Sequence, residues 1–146
     1  MKYLLDTNVL AELRRPEPNE NVKAWVRSTD RGSLYTSVLV LGEILRGCEN
    51  LRRRDPVQAA VLDRWLAGLR SEFADRVLPV TLPIAENWGR LCAPDRLSTA
   101  DGLIAATALA HDLTVATRNI KDFVRSGVPC VDPFAPPSEE HPSKTR

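Results

Sequence analysis

Apolar residues along the chain alternate between two patterns: short continuous runs, and longer stretches with helical spacing. The first run, Tyr3-Leu4-Leu5, stops at Asp6-Thr7-Asn8, which predicts a buried strand followed by a cap or turn. A short helix over Val9 to Arg14 is ended by Arg15-Pro16-Glu17-Pro18, and Asn19 or Asn21 can cap a second helix through Ala24, Trp25 and Val26. After a turn at Arg31-Gly32, Leu34-Tyr35-Thr36 reads as a second strand, with Ser37 capping a long helix from Val38 to about Arg53. Asp55-Pro56 opens the next helix, where Val61, Leu62, Trp65, Leu66, Leu69 and Phe73 keep the helical period.

The second half repeats the alternation. Val77-Leu78-Pro79-Val80 predicts a third strand, Ala85 to Leu91 a helix, and Ser98 or Thr99 the cap of an alanine-rich helix from Ala100 to His111. Leu113 to Thr117 predicts a fourth strand, Ile120 to Val124 a short helix, and Val128 to Val131 a fifth strand. Short apolar strands alternating with helices indicate a single α/β domain, a central parallel sheet of four or five strands flanked by helices in three layers. The expected domain spans residues 1–133, and residues 134–146, rich in proline and charge, have the composition of a disordered tail. Ligands in such sheets bind beyond the carboxyl ends of the strands, where Asp6, Thr117 and Asn119 fall.

Composition narrows the function only modestly. A net charge of +1 excludes a protein that coats polyanions but leaves room for a local basic rim around a nuclease site. Three cysteines and two histidines without ligand spacing argue against zinc, and the cysteines read as small buried hydrophobes of a reducing cytosol. The first residues reach a charge too soon for a signal peptide, and no apolar run approaches the roughly 20 residues needed to span a bilayer, so the expected location is the cytoplasm and no membrane is involved.

Four acids carry the candidate chemistry. Taken alone, Asp6 reads as a helix cap and Asp101 as a first-turn acid facing the helix dipole. Glu43 resists such a reading, because Val38-Leu39-Val40-Leu41-Gly42-Glu43-Ile44-Leu45 is apolar on nearly every side, and a buried carboxylate needs a partner, either Arg46 or a metal ion. After the fourth strand, Asn119 and Asp122 both offer a further oxygen ligand. Carboxylates gathered at one sheet edge repel one another, and a divalent cation relieves the repulsion. Oxygen ligands alone favour Mg²⁺ or Mn²⁺, and such a site can hold a phosphate and orient an attacking water.

The stretches around these acids, Leu5-Asp6-Thr7-Asn8-Val9-Leu10, Val40-Leu41-Gly42-Glu43-Ile44-Leu45-Arg46-Gly47, Thr99-Ala100-Asp101-Gly102-Leu103-Ile104-Ala105-Ala106-Thr107-Ala108 and Val115-Ala116-Thr117-Arg118-Asn119-Ile120-Lys121-Asp122-Phe123, closely resemble the PIN-domain family, especially VapC/FitB-type toxins of toxin–antitoxin pairs. The resemblance runs from residue 2 to about 132. It implies a Rossmann-like PIN fold and a metal-dependent endoribonuclease, with Asp6, Glu43 and Asp101 as metal-binding acids and Thr7 and Asn8 organising the site. Thr117 and Asn119 stand at the last of these stretches, where relatives place a fourth acid at the position of Asn119 or of Asp122; here the first is an amide, which leaves Asp122. The family further implies a cytoplasmic toxin neutralised by a cognate antitoxin, commonly a homodimer, with operator DNA bound only through the antitoxin. For RNA contacts, Arg46, Arg14 and Arg15 are the basic residues nearest the acids in sequence, with Arg118 behind them. A phosphate-binding NTPase is excluded, since Gly42 to Gly47 is followed by Cys48-Glu49 and no GxGxxG is present. The competing reading is a regulatory subunit of a DNA-associated complex with weak or no nuclease activity; it predicts loss of Asp6 or Asp101, and both are retained.

Overall fold

A computed structural model describes residues 1–93 and 97–137 of the chain. Strand β1 (Tyr3–Leu5) leads into helix α1 (Thr7–Arg14) and then α2 (Glu20–Arg27). Next come β2 (Leu34–Ser37), the long α3 (Val38–Arg52) and α4 (Pro56–Glu72). The second half runs β3 (Val77–Leu78), α5 (Leu82–Cys92), α6 (Thr99–Ala110), β4 (Thr114–Ala116), α7 (Ile120–Phe123) and β5 (Cys130–Val131). All four strand pairings are parallel, in the order β3-β2-β1-β4-β5, so the expected sheet has its fifth strand. Strand β1 lies at the centre, pairing Leu4 with Tyr35 on one side and with Val115 on the other.

Local chemistry explains most boundaries. Ser37, Asn19, Asp55 and Ser98 each accept a backbone N–H at the start of the helix they cap. Between the expected caps of the second helix, Asn19 takes the role, its side chain accepting from the N–H groups of Asn21 and Val22. Strand β3 is two residues long instead of four, because Pro79 has no N–H to continue the ladder. Helix α5 starts at Leu82, earlier than expected, since Thr81 caps it and Pro83 sits in its first turn, where a missing N–H does no harm.

The core is continuous from the sheet into the helices. Leu4, Leu5 and Val115 in the strands pack with Val9, Leu10, Val40, Leu66, Ile104 and Phe123 from the covering helices, all buried. Burying one such side chain contributes roughly 1.5–3 kcal/mol, so this set dominates the stability of the domain. Tyr3 and Trp25 meet edge to face at a centroid distance of 4.9 Å, placing Trp25 against the core as its sequence position suggests. The described chain continues past the expected boundary at 133. Asn21 donates to the carbonyl of Phe134 at 2.9 Å, and the Arg118 guanidinium lies 4.6 Å over the Phe134 ring. The remainder of the expected tail, 138–146, lies outside the described residues. Among the described residues no helix is long and apolar enough to cross a membrane.

Candidate active site

The strand order reverses direction between β1 and β4, and this is where a parallel sheet opens a crevice at its carboxyl edge. Asp6 directly follows β1 and Thr117 directly follows β4, and the two meet across that opening. The Thr117 hydroxyl donates to Asp6 Oδ2 at 2.8 Å, and the Asn8 amide reaches the same oxygen at 3.4 Å. The Thr7 backbone N–H donates to Asp6 Oδ1 at 2.8 Å. Asp6 is therefore a helix cap, as its sequence position alone suggests, but its second oxygen is committed across the sheet.

A frame of neutral side chains locks this arrangement. Asn8 also donates to Thr117 Oγ1 at 3.2 Å, while its own oxygen accepts the Arg118 N–H at 3.1 Å. The Asn119 N–H donates to Thr117 Oγ1 at 3.0 Å. From the other side, the Thr7 hydroxyl donates to Glu43 Oε2 at 2.6 Å, tying α3 to the start of α1. Glu43 is half-buried, and its partner is Thr7 rather than the Arg46 that helical spacing offers.

Asp6 is only 6% exposed and has no cation among its hydrogen-bond partners. Burial pushes its carboxyl above the usual range; the bonds from Thr117 and Thr7 pull it back, and the charges of Asp101 and Glu43 push it up again. Asp101, in the first turn of α6, is half-buried and also raised, first by burial and then by Asp122 and Glu43, with a hydrogen bond to Ser98 opposing. Asp6, Glu43, Asp101 and Asp122 thus form one chain of mutually repelling charges. Asp122 itself is exposed, and it shares with Asp101 a depression of about 270 Å³ that also includes Leu97, Ser98, Lys121 and Arg125.

Such a set of oxygens suits a hard divalent cation. Among the described residues no three His, Cys, Asp or Glu side chains gather closely enough to hold a metal ion by themselves. Mg²⁺ asks for less, keeping several waters and taking one or two carboxylates, and the raised acids supply negative charge still to be neutralised. The donor chemistry fits such an ion.

Of the basic residues singled out by sequence, Arg118 lines a depression with Asp122, while the other three line neither of the two depressions beside the acids. Arg15 pairs with Glu12 at 3.2 Å, and Arg14 and Arg46 are exposed. Lys121, in α7 within the last motif, and Arg125, in the turn just beyond it, do line one, four residues apart in sequence. That spacing was the available signal, hidden by the weak pattern of so short an element.

Comparison with known proteins bears on the family and the fold. The sequence profile of the PIN domain matches residues 3–127. The chain is 35% identical over 136 residues to Toxin FitB of Neisseria gonorrhoeae, covering 90% of this chain and 97% of that protein. It is also 35% identical over 141 residues to VapC ribonuclease Y4jK of Sinorhizobium fredii, covering 91% and 98%. Among solved structures, that of FitAB bound to an IR36 DNA fragment superimposes with a TM-score of 0.83 at 33% identity, over 94% of this chain and 99% of that one. The structure of FitAcB from Neisseria gonorrhoeae gives 0.82 at 36% identity, over 90% and 98%. With the fold, the order of the motifs and the sequence relatives in agreement, this chain belongs to the PIN-domain family.

Proposed function

We propose that the chain is the toxin of a toxin–antitoxin pair, a cytoplasmic metal-dependent endoribonuclease that a cognate antitoxin holds inactive. One observation carries the reading: Asp6, buried at the switch point of the sheet, is held by three neutral donors and bears the charges of Glu43 and Asp101. A helix cap needs only the Thr7 N–H, whereas this carboxylate also faces two other acids across the sheet edge. The relatives support the class of activity, since one is named a ribonuclease and another a toxin, and the FitAB structure contains DNA.

In this reading Asp6 and Asp101 hold the ion, Mg²⁺ or Mn²⁺, with Glu43 and Asp122 completing the negative rim. A bound divalent ion would supply positive charge to the phosphate under attack. Glu43, fixed by Thr7, orients an attacking water or accepts its proton. Thr117 and Asn8 keep Asp6 in one orientation, and Asn119 acts through its backbone N–H on Thr117, leaving the fourth acidic corner to Asp122. Operator DNA is contacted through the antitoxin, and the active assembly is a homodimer.

The purified protein, incubated with a mixed RNA pool and with single- and double-stranded DNA, should cleave RNA in Mg²⁺ or Mn²⁺ and stop on addition of EDTA. Scission that survives EDTA, or scission confined to DNA, overturns the assignment.

A further inference from the structure

A polyanion meets an obstacle at this site. Asp6, Glu43, Asp101 and Asp122 present four carboxylates, and one divalent ion leaves a net negative field that repels RNA. Some cations must lie close enough to offset it. Arg15 is engaged by Glu12, and Arg118 is stacked on Phe134. Arg52, the last residue of α3 and the first of the run Arg52-Arg53-Arg54, is bound by Glu49 and Asp63 at 3.0 and 2.8 Å.

Two cations differ from these. Lys121 and Arg125 line the same depression as Asp101 and Asp122, and neither makes an ion pair with any described residue. Both are exposed, and the depression, about 270 Å³, also presents Ser98. Lys121 and Asp122 further line an adjoining depression of about 320 Å³ with Arg118, Asn119 and Ile120. Lys121 therefore stands on the ridge between two concavities, with Arg118 on one side and Arg125 on the other.

We infer that Lys121 and Arg125 are the phosphate-binding wall of the nuclease site, with Lys121 shared between successive backbone phosphates of a single RNA strand running past Asp101 and Asp122. The assignment rests on the nuclease reading above and gives the substrate a direction of approach, over α7, that Arg14, Arg15 and Arg46 do not provide. The contacts are to the backbone, so they set affinity and register but not base sequence.

The test uses binding without cleavage. Asp6→Asn protein is titrated in EDTA against a fluorescently labelled single-stranded RNA of mixed sequence, with anisotropy read at several salt concentrations. Adding Lys121→Ala and Arg125→Ala should weaken binding about tenfold or more and lower the slope of log affinity against log salt by roughly 1.4, the value for two phosphate contacts on a single strand. The charge-matched control, Arg53→Ala with Arg54→Ala, lies just past the end of α3, ten residues beyond Glu43 and about 15 Å away along the helix axis, and should leave both within twofold. The conservative pair Lys121→Arg and Arg125→Lys should restore the slope, separating charge from a folding defect. An unchanged slope in the alanine pair, an equal loss in the control, or no RNA binding by the Asp6→Asn parent overturns the assignment. RNA held through Lys121 and Arg125 by a wild-type protein that never cleaves it would instead overturn the nuclease reading and leave this wall in place.

Discussion

At the scale of single residues, the site is defined less by its acids than by what holds them. Thr117 accepts from Asn8 and from the Asn119 N–H and donates to Asp6, so one hydroxyl fixes three groups. Thr117→Val keeps the shape and removes all three bonds. It should destabilise the protein by about 1–3 kcal/mol, since buried polar partners are left unsatisfied, and reduce RNA cleavage well beyond what the lost folded fraction explains. Denaturant titration and single-turnover cleavage on the same preparation check both parts; a stable variant with normal cleavage would show that Asp6 needs no such frame. Sequence made Asp6, Glu43 and Asp101 legible through their motifs, yet not their partners. The Glu43–Thr7 bond joins residues 36 apart, and the Thr117–Asp6 bond residues 111 apart, so no local pattern announces either.

The same residues predict a pH dependence. Asp6 and Asp101 are held above the ordinary carboxylate range, so the folded protein binds their protons more tightly than the unfolded chain does. Their contribution is fully present below the unfolded value and is lost as pH rises through the folded values. Asp63 runs the opposite way. Hydrogen bonds from Arg52 and from the buried Cys48 thiol hold it low, so its contribution is present above the unfolded value and is lost in acid. Because the two effects overlap, the clean comparison is between wild type and Asp101→Asn in EDTA. The melting temperature of the variant should gain on wild type as pH rises above the ordinary carboxylate value of 3.8, and saturating Mg²⁺ or Mn²⁺ should raise wild type alone. A gap that stays flat with pH would contradict the repulsion ascribed to Asp101.

At the scale of elements, the position of Asp101 depends on how closely α6 crosses α5. A Cβ on Gly102 would lie 2.6 Å from Cys92 Sγ and 2.9 Å from Trp88 Cδ1 and Nε1. The crossing is tight enough that the Trp88 indole N–H is buried without a hydrogen-bond partner among the described residues. Gly102→Ala should therefore push the helices apart, cost about 1–3 kcal/mol, and lower cleavage by displacing Asp101. Chemical denaturation and a cleavage time course would measure the two effects, and an unperturbed variant would mean that α5 yields without cost. Helix periods and caps made nearly every element readable. Boundaries moved in several places: α1 starts at Thr7 instead of Val9, β5 holds two residues instead of four, and at Pro79 and Thr81 a single missing N–H or one hydroxyl shifts the junction of strand and helix. The short α7 shows the same limit, since four residues carry too little periodicity to reveal that Lys121 and Arg125 share a depression with Asp101.

At the scale of the whole molecule, the parallel sheet turns scattered motifs into one place. The order β3-β2-β1-β4-β5 sets the first and fourth strands side by side, and everything proposed for catalysis gathers at their common carboxyl edge. Sequence predicted the parallel sheet and its strands, while the pairing of β1 with β4 needed the chain to fold, because Leu4 and its partner across the opening, Val115, lie 111 positions apart, and Val115 itself is an ordinary buried valine. The central claim is that this edge is the catalytic centre of a metal-dependent ribonuclease. Single-turnover cleavage of a mixed RNA pool by wild type, Asp6→Asn and Asp101→Asn, each in Mg²⁺, in Mn²⁺ and in EDTA, tests it most directly. The account predicts cleavage by wild type in either metal, none in EDTA, and a loss of at least about a hundredfold in both variants while their folds remain intact. Equal cleavage by wild type and Asp6→Asn would contradict it.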